Sequence, residues 1–129
     1  MAVNDKPKAT VEPFGGTVTV SFSDAIVAST REALLLREVG HEPVFYIPFR
    51  DIYFDFLFES PTEYRCPIKG KARYWNVEAV GEAEEDVMWS YDLPKPEVSA
   101  IRQHGAFDPE KVRIDVVPQE DLLHTPHAP

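Results

Sequence analysis

The chain holds one cysteine in 129 residues, so an internal disulfide is excluded and its folding does not require an oxidising compartment. Long hydrophobic runs are also missing: nothing approaches the ~20 apolar residues that cross a bilayer, and the start MAVNDKPKAT lacks the apolar core of a signal peptide. A soluble, cytoplasmic protein is expected, with no membrane partner. Basic residues are scarce, 13 Lys and Arg against 22 Asp and Glu, giving a formal net charge of −9. Broad nucleic-acid binding, which needs a basic surface to neutralise phosphates, is not expected.

The glycine-dependent phosphate motifs are absent too. Neither GxxxxGK followed by Ser or Thr nor GxGxxG occurs; Lys69-Gly70-Lys71 reverses the required order and has no partner glycine. Metal sites built on CxxC pairs are ruled out by the single cysteine. His41 and His104 have no local ligand spacing, and His124 and His127 sit in a terminal segment, so neither a metal nor a cofactor is expected.

What is present suffices for one folded domain. Apolar residues make up 43 % of the chain and fifteen are aromatic, enough to fill a core at this length. Val18, Val20 and Phe22 alternate with Thr17, Thr19 and Ser21, the period of a half-buried strand. Ala25–Ala28, Ala33–Leu36, Val44–Ile47, Ile52–Phe58, Lys71–Ala79, Val87–Tyr91, His104–Phe107 and Lys111–Val117 continue the series between Gly, Pro and polar turns. Helix over 29–38 competes, since Ala, Leu, Arg and Glu are good helix formers, but Gly40 and Pro43 stop it early and favour strand. Gly81 and the acidic run Glu82, Glu84, Glu85, Asp86 read as a hairpin connection, and Pro96 suits the first turn of a short helix near 97–103. The expected fold is mainly β, a single compact domain of about 7–9 short, mostly antiparallel strands. Flexible segments are expected at 1–14 and 118–129 around a domain at 15–117.

One stretch reverses the chain's sign. From Thr62 to Trp75 there are four basic residues, Arg65, Lys69, Lys71 and Arg73, against one acid, Glu63. Cys66 lies beside Arg65 and three residues before Lys69, a setting that favours the thiolate and hence nucleophilic chemistry; the plain alternative is a small buried side chain at a strand end. No histidine is near it in sequence, so a base would have to come from His41 or His104 through folding. Lys71 and Arg73 share a strand face and read as solvated residues matched to acids on the next strand, such as Glu82 to Asp86. Lys69 precedes Gly70 in a turn and can point inward. Tyr74, Trp75, Trp89 and Tyr91 are core packing in the simplest reading, or a pocket mouth if their polar tips face a ligand.

The turn Cys66-Pro67-Ile68-Lys69-Gly70 is followed by Ala72, Tyr74 and Trp75, then by Trp89-Ser90-Tyr91 with Pro94 and Pro96. With Ala28–Leu36, Tyr46-Ile47-Pro48, Asp51 and Ala106-Phe107, this resembles the domain of unknown function 427 family over about Thr17–Val116. The resemblance implies a β-tent-like architecture with a cavity around the CPxKG segment. A nucleotidyltransferase label is sometimes attached to that domain, although no paired-carboxylate metal site or phosphate loop is evident here. Several β-tent relatives hold zinc through paired cysteines, which this chain lacks.

Three functions follow as expectations. The first is a pocket for a small anionic molecule, lined by Arg31, Cys66, Lys69, Gly70, Tyr74 and Trp89, with Lys69 or Arg31 pairing the anion. The second is an enzyme, either a thiol enzyme with Cys66 as nucleophile and Lys69 as its activator or one of nucleotidyltransferase type. The third is a non-catalytic interaction domain. Oligomeric state is left open.

Overall fold

The computed structural model describes residues 8–119. Ten strands form: β1 (Ala9–Pro13), β2 (Gly16–Phe22), β3 (Ala25–Thr30), β4 (Leu34–Glu38), β5 (Val44–Pro48), β6 (Leu57–Cys66), β7 (Gly70–Ala79), β8 (Glu82–Tyr91), β9 (His104–Phe107) and β10 (Arg113–Pro118). They make a seven-stranded sheet in the order β1-β4-β5-β9-β8-β7-β6 and a three-stranded sheet in the order β10-β2-β3. Every strand pairing is antiparallel. The mainly β, single-domain expectation holds.

Period-two alternation divides the large sheet into two faces. Ile47, Trp75, Met88 and Phe107 point to one side, where they pack with Val18, Val20, Val27 and Ala28 of the small sheet. Their neighbours Tyr46, Tyr74, Trp89 and Ala106 point to the other side and join Leu36, Ala72 and Tyr91. Burying such side chains contributes about 1.5–3 kcal/mol each, so the inter-sheet layer holds the fold together. The opposite face is only partly roofed, by Val98 and Ile101 from a 3-10 segment, Pro96–Ile101. That incomplete roof leaves room for a site.

Several expectations need correction. Residues 9–13 are not loose: Ala9–Pro13 pairs with β4 from Ala9↔Glu38 to Pro13↔Leu34, which extends the domain and raises the strand count to ten. Residues 1–7 and 120–129, with His124 and His127, lie outside the described residues. Ile52–Phe58 is not one strand. Ile52 makes an isolated bridge to Ala28, and Phe54–Phe56 is a 3-10 turn before β6 begins. The shortened path brings Phe54 edge-on to Phe49 at 5.3 Å and to Trp75 at 6.1 Å, contacts a regular strand would not reach.

The acidic run 82–86 is strand, not connection. Val80 and Gly81, at φ 55 and 76, form the two-residue hairpin turn, both in the left-handed region that matches the twist of the flanking strands. Asp86 is a third left-handed residue, φ 52, at an irregularity in the β7–β8 ladder, where its amide donates to Asn76 Oδ1 at 2.9 Å. Residues 85–87 of β8 stand opposite the single residue Asn76 there, two more than a regular ladder holds, and Val87 and Met88 join the same core layer instead of opposite faces. The short helix expected near 97–103 is the 3-10 segment instead, kinked at Val98 (φ −124).

Candidate functional site

A cavity of about 770 Å³ opens on the partly roofed face of the large sheet. One wall comes from β4, β5 and the loop between them, with Leu36, Glu38, His41, Glu42, Val44 and Tyr46. The opposite wall comes from β6 to β8. Alternation selects its residues: Thr62, Tyr64 and Cys66 on β6, Tyr74 on β7, Trp89 and Tyr91 on β8. The turn after β6 adds Pro67, Ile68 and Lys69, and the start and end of the β9–β10 connection add Asp108 and Lys111.

The inward reach of Lys69 follows from its turn. Gly70 takes φ 118, and the Lys69 carbonyl accepts the Lys95 amide at 3.0 Å, so the segment after β8 clasps the turn. A Cβ on residue 70 would come within 3.1 Å of the Leu93 carbonyl oxygen. So fixed, the Lys69 ammonium donates to Glu38 Oε1 at 2.6 Å, with side-chain exposures of only 13 % and 10 %. His41 Nε2 stands 3.7 Å from the other Glu38 oxygen on an exposed ring.

The aromatic residues line the cavity with polar tips already ordered. The Trp89 indole donates to the Tyr46 hydroxyl at 3.1 Å, and the rings of Tyr74 and Trp89 lie 6.2 Å apart, tilted by 43°. Burial pushes the phenols of Tyr46 and Tyr91 well above the usual tyrosine value; for Tyr46 the indole hydrogen bond partly opposes this. Tyr74 is raised as well, first by desolvation and then by the carboxylates of Asp86 and Asp108. All three are neutral hydrogen-bonding groups at physiological pH.

Asp86 is held from one side only. Its Oδ2 accepts the Thr62 hydroxyl at 2.8 Å, whereas Oδ1 is buried with no hydrogen-bond partner. Lys111 donates to the Glu85 main-chain carbonyl at 2.9 Å.

Of the residues singled out in the sequence, Cys66, Lys69, Tyr74 and Trp89 line this cavity together. Arg31 does not: it stands exposed just beyond β3. Gly70 contributes conformation to the turn and not surface to the wall. Cys66 is 5 % exposed, and the expected activator Lys69 is directed at Glu38. His104 sits on β9 opposite Pro48, away from the lining, while His41 lines the cavity facing Glu38. Lys71 and Arg73 are solvated strand residues, but their partners are Glu63 for Lys71 and Glu59 and Asp92 for Arg73, not the acids of 82–86. Arg73 also stacks over the Trp75 ring at 4.5 Å.

Glu38, Glu42, Tyr64, Asp86, Asp108 and Lys111 were not anticipated. For Tyr64 the period-two spacing from Cys66 was a usable signal. For Glu38 and Asp86 none existed, because one depends on a pairing 31 residues long-range and the other on a backbone irregularity. Among the described residues no group of three His, Cys, Asp or Glu side chains is placed to hold a metal ion.

No helix among the described residues is long and apolar enough to cross a membrane. No curated relative matches the chain. A sequence model of the family described as a domain of unknown function, DUF427, matches residues 10–118, from β1 to the end of β10. With β2 to β10, all of β1 but Ala9, and most of its length inside that match, the protein belongs to the DUF427 family.

Proposed function

We propose that the domain binds a small molecule in this cavity, with a planar part of the ligand against Tyr74 and Trp89 and its polar groups near Tyr64, Tyr91 and the Glu38–Lys69 pair. The observation that carries this reading is the placement of the three aromatic side chains Tyr74, Trp89 and Tyr91 around a space of about 770 Å³, instead of in the inter-sheet core that takes Trp75. Ligand sites are typically cavities of about 300–1,000 Å³ with mostly apolar walls and a few fixed polar groups. Lys69 as an anchor for an anion, the sequence-level expectation, has a competitor inside the protein, since Glu38 already occupies its ammonium. A cytoplasmic setting belongs to the same proposal and is supported by the single cysteine.

Thermal-shift screening of metabolites against the native chain, Tyr74→Leu and Trp89→Leu tests the reading. A true ligand at 100 times its Kd stabilises by about 2.7 kcal/mol, and that gain should fall sharply in both variants. If every stabilising compound keeps its full shift in both, the cavity is not the site.

Cys66 supports a second reading, thiol chemistry, because the residue lines the same cavity. Its test is the rate of alkylation against pH: an apparent pKa clearly below the free-thiol value of about 8.5 supports it, and an inert thiol refutes it.

A further inference from the structure

We infer that the cavity selects a compact cation carrying a ring or other flat apolar part, such as an aryl-alkyl amine, over a neutral or anionic molecule of the same shape. The inference rests on the binding reading above and names its ligand class.

Charge in the lining is the first support. Glu38, Glu42, Asp86 and Asp108 contribute four carboxylates, against two ammonium groups from Lys69 and Lys111. Counting His41 as neutral, the walls carry a net charge of −2. No arginine is among the lining residues, so the two-pronged donor that suits carboxylate or phosphate ligands is missing from the walls. Lys69 is taken by Glu38 at 2.6 Å, and Lys111 is tethered to the Glu85 carbonyl at 2.9 Å.

The second support is the incomplete compensation of Asp86. One oxygen accepts from Thr62, and the other is buried without a partner, so the protein leaves negative charge beneath this wall unanswered. Groups of this kind are costly in low dielectric, and a nearby cation relieves the cost. The left-handed backbone at Asp86, φ 52, is itself unusual for a residue other than glycine and sets the carboxylate's position.

The third support is independent of charge. Tyr64, Tyr74, Trp89 and Tyr91 line the cavity, and aromatic faces attract ammonium groups through their quadrupole. Aromatic walls combined with carboxylates are the chemistry that recognises organic cations.

Three probes of one shape separate the outcomes: 2-phenylethylamine, 2-phenylethanol and 3-phenylpropionate, titrated into the full chain by NMR. The amine is expected to bind at least tenfold more tightly than the alcohol. In Asp86→Asn/Asp108→Asn that preference should fall below threefold. Asparagine tolerates the left-handed backbone at 86, and its amide oxygen can still accept the Glu110 amide that Asp108 Oδ1 now accepts at 2.9 Å, so the variant should fold. Glu84→Gln, on exposed β8 surface outside the cavity, should leave the preference unchanged. Equal binding of all three probes, or tightest binding by the propionate, overturns the charge class while leaving small-molecule binding standing. Absence of binding by all three at millimolar concentration overturns both.

Discussion

Removing one partner of the Lys69–Glu38 pair should destabilise the protein far more than removing both. At an effective dielectric of about 20, unit charges 2.6 Å apart attract by roughly 6 kcal/mol. Withdrawing two ions from water to side-chain exposures of 13 % and 10 % costs several kcal/mol for each, so the pair as a whole contributes little net stability. Lys69→Met leaves Glu38 charged in a wall with no other counter-ion closer than the His41 ring at 3.7 Å. We expect that variant to lose about 3 kcal/mol, at the low end for breaking a buried pair because some solvent reaches the site. For a domain of this size the loss corresponds to a fall in Tm of roughly 10–15 °C. Lys69→Met/Glu38→Leu should return to within about 1 kcal/mol of the native chain, because the orphaned charge is gone and apolar volume replaces it. Urea unfolding of the four proteins gives the coupling energy directly. A loss below about 1 kcal/mol for Lys69→Met alone would show that the pair behaves as an exposed surface contact and that the cavity wall is wetter than its geometry suggests.

Three further outcomes follow from single groups. Ser90 is fully buried and its hydroxyl has no hydrogen-bond partner, so Ser90→Ala should be neutral or stabilise by up to about 1 kcal/mol in urea unfolding; a loss above 1 kcal/mol would show that the hydroxyl is satisfied after all. Gly70→Ala, forced to φ 118 with its Cβ 3.1 Å from the Leu93 carbonyl oxygen, should cost about 1–3 kcal/mol and loosen Lys69, which a retained native Tm would contradict. The His104 imidazole is held below its usual value by burial, with the Arg102 carbonyl partly opposing and Arg50 adding to the shift. The unfolded chain therefore binds that proton first, and the His104 contribution, present above the unfolded pKa of about 6.5, is lost as pH falls through the lowered folded value. The stability difference between the native chain and His104→Gln should narrow over that window, and a difference constant from pH 7.5 to 5 would refute it.

Much of the sheet was readable from sequence because period-two alternation is a local signal with a local cause. Val18, Val20 and Phe22 alternate in sequence and are buried together, and Gly40 and Pro43, just after β4, correctly argue against helix over 29–38. The failures have a common origin in pairing that local pattern does not encode. Ala9–Pro13 is polar enough to read as a frayed end and is ordered only because β4 offers a free edge. Phe54 departs from the strand because Phe49, five residues before it, and Trp75, distant in sequence, supply a better packed place for its ring. In the site, Cys66, Lys69, Tyr74 and Trp89 were legible as members, since turn chemistry and alternation put them on one side of one hairpin and its neighbour.

The character of the site was less legible than its membership, for an electrostatic reason. A basic stretch in an acidic chain suggests an anion, but a side chain's charge matters to a ligand only after its own partners are counted. Glu38 reaches Lys69 across 31 residues, Glu63 takes Lys71, and Glu59 and Asp92 take Arg73. Three of the four basic residues that made the stretch conspicuous are thereby answered by the fold, and the fourth, Arg65, is exposed and outside the cavity lining. Of the charged lining residues outside the Glu38–Lys69 contact, three are carboxylates, Glu42, Asp86 and Asp108, against one ammonium, Lys111, and one oxygen of Asp86 is buried without a partner. The reversal of sign along the chain becomes, once folded, a cavity of the chain's own negative sign, faced with aromatic rings.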